Sequence, residues 1–309
     1  MLFREKELLM KLCKIHGPSG NERAVKEFLL NYIQDNAKFW ENQPKLFYGE
    51  DFLDCIVLVF GKPRTGIFVH MDTVGFTVRY DNKLVPIGGV EMKTGYTLIG
   101  EDTKGKIETK LIVDEDMQYI ACDYQRLIDV GTDLVFKCNF VETNEFFQSC
   151  YLDNRLGIWV ILHLCQTLTN GAIAFSCWEE HGGGSVPFLV KFLCDNYNIK
   201  QYLVADVTWI SEGIKPGKGV VLSLRDERIP RKVFKERILN ILNDSKIPFQ
   251  LEVESFGGSD GKEIQASPYP VDWCFVGAPG DNVHTPEEIV YKKDIEAMLE
   301  AYKLLMEKL

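Results

Sequence analysis

An apolar run, Ala172-Ile173-Ala174-Phe175, leads into Trp178-Glu179-Glu180-His181 and then three glycines. The run reads as a buried strand. Neighbouring side chains on a strand point to opposite faces. Glu179 and Glu180 can therefore serve one site only where the chain has already left strand geometry. Gly182, Gly183 and Gly184 allow that departure, because glycine adopts backbone angles closed to other residues. In isolation the pair reads first as a solvated loop, since most acids are simply exposed. Its meaning depends on what the other strands carry at their ends.

Those strands carry matching chemistry. Ile67-Phe68-Val69-His70-Met71-Asp72 reads as a strand whose His70 and Asp72 share a face. A carboxylate beside a histidine ring is the arrangement that fixes a metal ligand. The strand over 201–208 places Asp206 near its carboxyl end, and the strand over 271–276 is followed by a loop with His284. Leu152-Asp153-Asn154-Arg155 opens a helix to about 168, with Asp153 where a cap or first-turn carboxylate belongs. His163, inside that apolar helix, reads as structural, and His16 as a loop residue. Apolar periodicity predicts helices over 2–15, 185–197, 231–244 and 291–308, and strands near 52–60, 219–224 and 249–255. Ser19 and Glu22 have capping-box spacing and predict a second helix beginning there. Residues 257–261 read as a loop, and the glycines at 182–184 as a tight turn into the next helix.

Between about 75 and 150 the texture changes to short alternating runs broken by Gly88-Gly89, Gly95 and Gly131, with no helix. Such a pattern predicts a small inserted all-β, barrel-like domain over 76–149. Residues 1–75 and 150–309 then form one catalytic domain. Alternating strands and helices predict a three-layer α/β sandwich around a mostly parallel sheet. In such folds ligands gather beyond the strands' carboxyl ends. Five separated segments bring His or carboxylate to one rim, which favours metal ligation over coincidence.

A net charge of −10 excludes nucleic acid and an anionic membrane surface as expected partners. The charged start, Met1 to Glu7, does not read as a secretory leader, and no apolar run is long enough to span a bilayer. Nine cysteines with no CxxC pair read as buried, reduced thiols. Together these predict a cytoplasmic protein.

The motifs resemble, in order and spacing over nearly the whole chain, the glutamyl-aminopeptidase type of dinuclear metalloaminopeptidase. That family includes tetrahedral particles and cellulase-like "endoglucanase" relatives. The resemblance rests on Gly17-Pro18-Ser19-Gly20-Asn21-Glu22, His70-Met71-Asp72, Pro86-Ile87-Gly88-Gly89-Val90, Leu152-Asp153-Asn154-Arg155, Glu179-Glu180, Asp206-Val207-Thr208, Gly257-Gly258-Ser259-Asp260 and His284-Thr285-Pro286. The resemblance implies two divalent ions, one held by His70, Asp153 and Asp206 and the other by Asp153, Glu180 and His284. It further implies Glu179 as general base, Asp72 orienting His70, a homo-oligomer, and peptide substrates cut at the first residue by a water bridging the ions. His181 and Asp260 are expected near the substrate. Thr73, His181 and Gly280-Asp281-Asn282 depart from the family pattern.

The donor set is chemically coherent. Three ligand carboxylates and a bridging hydroxide balance two divalent ions, so the cluster can be buried without a stranded charge. Imidazole and carboxylate without thiolate suit zinc first, then cobalt or manganese. Three alternatives stand beside this reading. A related dinuclear deacylase, dipeptidase or carboxypeptidase carries its extra domain between the last acidic ligand and the final histidine, whereas here the insert precedes Asp153. A glycoside hydrolase needs two carboxylates but leaves both histidines unexplained. An inactive metal-bound scaffold has no use for a spare carboxylate.

Overall fold

Among the residues described by the computed structural model, 6–114 and 119–309, helices and strands alternate as the periodicity predicts. Helix α1 spans Lys6–Lys14, and the opening of the expected 2–15 helix, with most of the charged start, lies outside the described residues. Helix α2 spans Arg23–Asn36 and is not capped as expected. Glu22 occupies the cap position without a side-chain cap bond, because Ser19 and Glu22 point instead into the rim described below. Strands β1 (Lys45–Gly49), β2 (Leu53–Phe60) and β3 (Gly66–His70) follow.

Next come β4 (Gly75–Val78), β5 (Leu84–Ile87), β6 (Thr97–Asp102), β7 (Gly105–Asp114), β8 (Tyr119–Asp123) and β9 (Asp133–Phe136). They form an antiparallel sheet in the order β5-β4-β9-β6-β7-β8, and a bridge between Lys83 and Ala121 brings its two edges together, so the sheet is nearly closed. Closure removes the exposed edges that a short antiparallel sheet would otherwise present. It encloses an apolar cluster of its own, with Phe76, Leu98, Leu111, Leu134 and Phe136 almost fully buried.

Strands β10 (Val141–Glu142) and β11 (Phe146–Ser149) already belong to a different, larger sheet. The chain continues through α3 (Leu152–Cys165), β12 (Gly171–Ser176), α4 (Val186–Tyr197), β13 (Gln201–Val204), β14 (Val207–Trp209), β15 (Val220–Arg225), α5 (Lys232–Asn243), β16 (Phe249–Val253), α6 (Asp260–Ala266), β17 (Asp272–Asp281), β18 (Glu288–Tyr291) and α7 (Lys292–Lys308). The large sheet is mixed, in the order β1-β2-β12-β3-β13-β17-β18-β11-β10, with β14 and β15 also on β17 and β16 beyond β15. Its middle, β12-β3-β13-β17, is parallel. Every residue of α3 is buried where it packs between β3, α1 and α7, which explains why its sequence is apolar on all sides.

Register places the functional segments at one level. Ser176 pairs with His70, so β12 and β3 end together, and β13 ends two residues short of them, where Val204 pairs with Phe68. Three expectations change here. The predicted 201–208 strand breaks at Ala205-Asp206, where Ala205 N donates to Phe68 O and the Asn154 amide donates to Ala205 O. The predicted 271–276 strand runs on to Asp281. The predicted 257–261 loop turns at Ser259, whose hydroxyl accepts from Gly261 N and opens α6.

Gly277 explains the long β17. A Cβ there would lie 2.2 Å from Asp206 O, so only glycine lets the Asp206 backbone reach the strand, where Ala278 N donates to it at 3.1 Å. Gly277→Ala should lower stability by roughly 1–3 kcal/mol, as overpacking does, read as a fall in unfolding midpoint. An unchanged midpoint would show that this contact can relax.

Candidate metal centre

His70 ends β3, and Asp72 follows two residues later. Nδ1 of His70 lies 3.5 Å from Asp72 Oδ1, and its Nε2 faces the other way, 3.1 Å from Asp153 Oδ1 and 3.3 Å from Asp206 Oδ1. His284, on the loop between β17 and β18, is turned the same way. Its Nδ1 lies 3.1 Å from the Gly89 carbonyl, and its Nε2 is 3.0 Å from Glu180 Oε2 and 3.5 Å from Asp153 Oδ2. Asp153 thus turns one oxygen to each imidazole. Glu179 Oε2 is 4.0 Å from His70 Nε2. The seven residues expected at the centre come together.

Asp153 is not a helix cap. Its φ and ψ, −79° and 108°, are extended rather than helical, and Asn154 also departs from helical geometry before α3 becomes regular. This departure aims the carboxylate into the rim. Asn154 holds the departure by donating to Ala205 O at 2.8 Å and accepting from Gly157 N at 3.0 Å.

The Glu-Glu turn is built on Asp72. Its Oδ1 accepts from Glu179 N at 3.1 Å, and its Oδ2 from Glu180 N at 3.0 Å and the Ser19 hydroxyl at 2.5 Å. Glu22, 1% exposed, accepts on one oxygen from both Gly20 N and Trp178 N. Ser185 closes the turn from behind, donating to Cys177 O and accepting from Cys177 N. Gly182, Gly183 and Gly184 all have positive φ, the conformation expected of this turn. Trp178, also with positive φ, starts it. Both carboxylates leave the strand on the same side.

The small sheet reaches this centre through Gly88 and Gly89. Gly88 N donates to His181 Nδ1 at 3.0 Å, and a Cβ on Gly88 would lie 2.8 Å from Glu180 O. His181 itself is exposed. Asp260 is buried behind β12, where the Ser176 hydroxyl donates to it, and burial pushes its pKa up to about 7. His163 is structural, its Nδ1 2.7 Å from Trp159 O inside α3. His16 lies away from this cluster of contacts.

Four residues that carry the centre were not read as such from the sequence. Ser19 and Glu22 had a competing explanation as a capping box. Asn154 looked like an ordinary first-turn residue. Glu288 accepts from Asp153 N at 2.9 Å and His284 N at 3.1 Å, but β18 is too short to show a period, so nothing marked this acid as buried.

Burial is the largest influence on each ionisable group here. It pushes Glu179 well above the ordinary carboxylate range, Glu180 upward, and Asp206 up to about 8. At the imidazoles burial acts downward, but Asp206, Asp153 and Asp72 overcome it at His70, and Glu180 and Asp153 at His284, so both are raised. At Asp153 the two imidazoles overcome burial and hold the carboxyl low. The charges constrain one another strongly.

This donor set fits divalent cations. With Nδ1 of His284 donating to a carbonyl, and Nδ1 of His70 facing Asp72, each Nε2 turns a lone pair toward carboxylate oxygens that are themselves acceptors. Only a proton or a cation between them relieves that. Glu180 Oε1 is buried with no hydrogen-bond partner, an acceptor left over for a ligand. Donor atoms of His70, Asp153 and Glu180 all lie within 4.8 Å of one another, a grouping that could hold a metal ion and that draws on both proposed ligand sets.

The fold and site define the class. Aminopeptidase APDkam598 from the archaeon Desulfurococcus kamchatkensis superposes with a TM-score of 0.85 at 21% identity, over 100% of this chain and 96% of that one. The Pyrococcus horikoshii TET1 peptidase, described as able to assemble into a tetrahedron or a large octahedral shell, gives 0.80 at 20% identity over 99% of both chains. A curated relative from Acetivibrio thermocellus, named a putative aminopeptidase, is 25% identical over 97% of each sequence. The M42 glutamyl aminopeptidase family profile matches residues 87–300, well over half of the chain, and the chain belongs to that family.

The clamp on the Glu-Glu turn is testable at Glu22. Both of its bonds use a single oxygen, so Glu22→Gln keeps both and should leave peptidase kcat within a few-fold of wild type. Glu22→Ala removes both and should cost about 1–3 kcal/mol of stability together with at least a tenfold loss of kcat. Equal behaviour of the two variants in steady-state assays and melts would contradict the clamp.

Proposed function

We propose that the protein is a dinuclear metalloaminopeptidase that removes the N-terminal residue of peptides. The observation that carries this reading is Asp153, whose two oxygens face two imidazoles on opposite sides. His70, Asp153 and Asp206 would hold one divalent ion, and Asp153, Glu180 and His284 the second. Zinc suits the donors first, with cobalt or manganese able to replace it. Such ions, when bound, supply Lewis-acid polarisation of the scissile carbonyl and ease deprotonation of the attacking water.

The chain's own residues carry the proton and the positioning. Glu179, close to His70 and not needed as a ligand, takes a proton from the attacking water and returns it to the departing amine. Its raised pKa suits a group that must hold that proton between the two steps. Asp72 keeps His70 oriented while fixing the backbone of Glu179 and Glu180. The acids around the rim attract a free peptide amine, which restricts cutting to the first residue. The exposed position of His181 beside the rim supports substrate contact there, whereas the buried position of Asp260 supports a role behind the turn.

The same reading extends to architecture. Helices packed on the large mixed sheet support the three-layer sandwich. The nearly closed sheet supports an inserted domain within 76–149, ending before β10 joins the large sheet. The P. horikoshii TET1 shell supports a homo-oligomer. No helix of the described residues is long and apolar enough to cross a membrane, and all nine cysteines are free thiols, which suits a cytoplasmic enzyme.

Glu179→Gln should retain bound metal yet lose roughly 10²–10⁴-fold in kcat, the usual contribution of a general base. Turnover at the wild-type rate would remove Glu179 from that role. Chelator treatment should abolish hydrolysis of aminoacyl chromogenic substrates, with recovery on adding zinc, cobalt or manganese. Activity on N-acylated substrates, or activity indifferent to chelator, would favour the deacylase or glycosidase alternatives.

A further inference from the structure

Glu288 begins β18 and is 1% exposed. Its two oxygens accept from two backbone amides far apart in the chain, Oε2 from Asp153 N at 2.9 Å and Oε1 from His284 N at 3.1 Å. Both amides belong to segments with unusual backbone. His284 has φ of +66°, and Tyr151, two residues before Asp153, has +64°. Left-handed backbone at a non-glycine residue persists where the surroundings hold it there. Glu288 is itself held by pairing on both sides. It lies opposite Ser149 of β11, the strand that leads into Asp153, and the far end of β18 pairs with β17, the strand that leads into the His284 loop.

We infer that Glu288 is a positioning residue that sets the separation of Asp153 and His284, and so completes the metal position on the His284 side. This rests on the two-ion reading above. His70 and Asp206, which would complete the other position, hang from β3 and the β13–β14 break, and neither takes part in the hydrogen bonds of Glu288. A glutamine at 288 keeps one acceptor and turns an amide donor toward the other N–H, so it loses one anchor without leaving a cavity. An aspartate keeps the charge but is one methylene too short to reach both amides. Outer carboxylates that orient metal ligands are worth about 10–100-fold in metal affinity.

The test is calorimetric titration of chelator-stripped protein with Zn²⁺, comparing wild type, Glu288→Gln and Glu288→Asp, with melting curves alongside. Wild type should take up two equivalents. Both variants should bind the second equivalent about 10–100-fold more weakly, with a smaller weakening of the first, whose site shares Asp153 but not His284. Two equivalents at wild-type affinity in Glu288→Gln would overturn the inference. So would full recovery in Glu288→Asp, which would make the role one of charge rather than reach. Should Glu288→Gln fail to fold, Glu288→Asp carries the same decision. Fewer than two equivalents in wild type would instead defeat the two-ion reading, a result separate from either variant's behaviour.

Discussion

A single carboxylate, that of Asp153, stands between two imidazoles, and the rest of the centre is arranged around it. Each imidazole is turned so that Nε2 faces inward, with His70 Nδ1 3.5 Å from Asp72 and His284 Nδ1 3.1 Å from the Gly89 carbonyl. Acceptors therefore confront acceptors across a space of three to four ångströms. Without a cation this arrangement must take up protons, which is why burial and neighbouring charge displace so many pKa values in one place. On the proposed reading, two divalent ions and a hydroxide would balance the three ligand carboxylates. The geometry is costly unless it binds metal, and that cost is the physical argument for function.

The large sheet makes the arrangement possible. Parallel strands that end within two residues of one another supply His70, the Glu-Glu turn and Asp206 to one rim, as expected for folds of this kind. Two departures from regularity then aim the groups. The strand break at Ala205-Asp206 releases one carboxylate, and the non-helical start of α3 releases another. Asn154 joins these two departures directly, so neither can shift alone. Gly277 permits the close backbone approach on which the break depends. The small sheet contributes as well, because Gly88 and Gly89 pack against the turn and the second histidine.

Much of this was legible in the sequence, for identifiable reasons. Strands β3, β12 and β13 announced themselves as apolar runs with polar residues at one end, so the positions of His70, Glu179, Glu180 and Asp206 could be inferred. The change to short alternating runs after residue 75 marked the small sheet. What stayed hidden depends on long-range contacts. Ser19 and Glu22 satisfy a local capping pattern that tertiary structure overrides, since Asp72 and Trp178 N offer partners the helix end does not. Glu288 sits four residues after His284 in a strand too short to carry a period, and only the fold brings it beneath Asp153. The full length of β17 is not legible, because Gly277, Pro279 and Gly280 resemble loop residues when read without their neighbours.

The central claim is that the space beside Asp153 holds a pair of cations. Anomalous diffraction from crystals grown with zinc, recorded on both sides of the zinc absorption edge, tests it most directly. The account predicts two zinc peaks flanking the Asp153 carboxylate, one beside His70 and Asp206 and one beside Glu180 and His284. A single peak, or zinc bound anywhere else with none at Asp153, would contradict it.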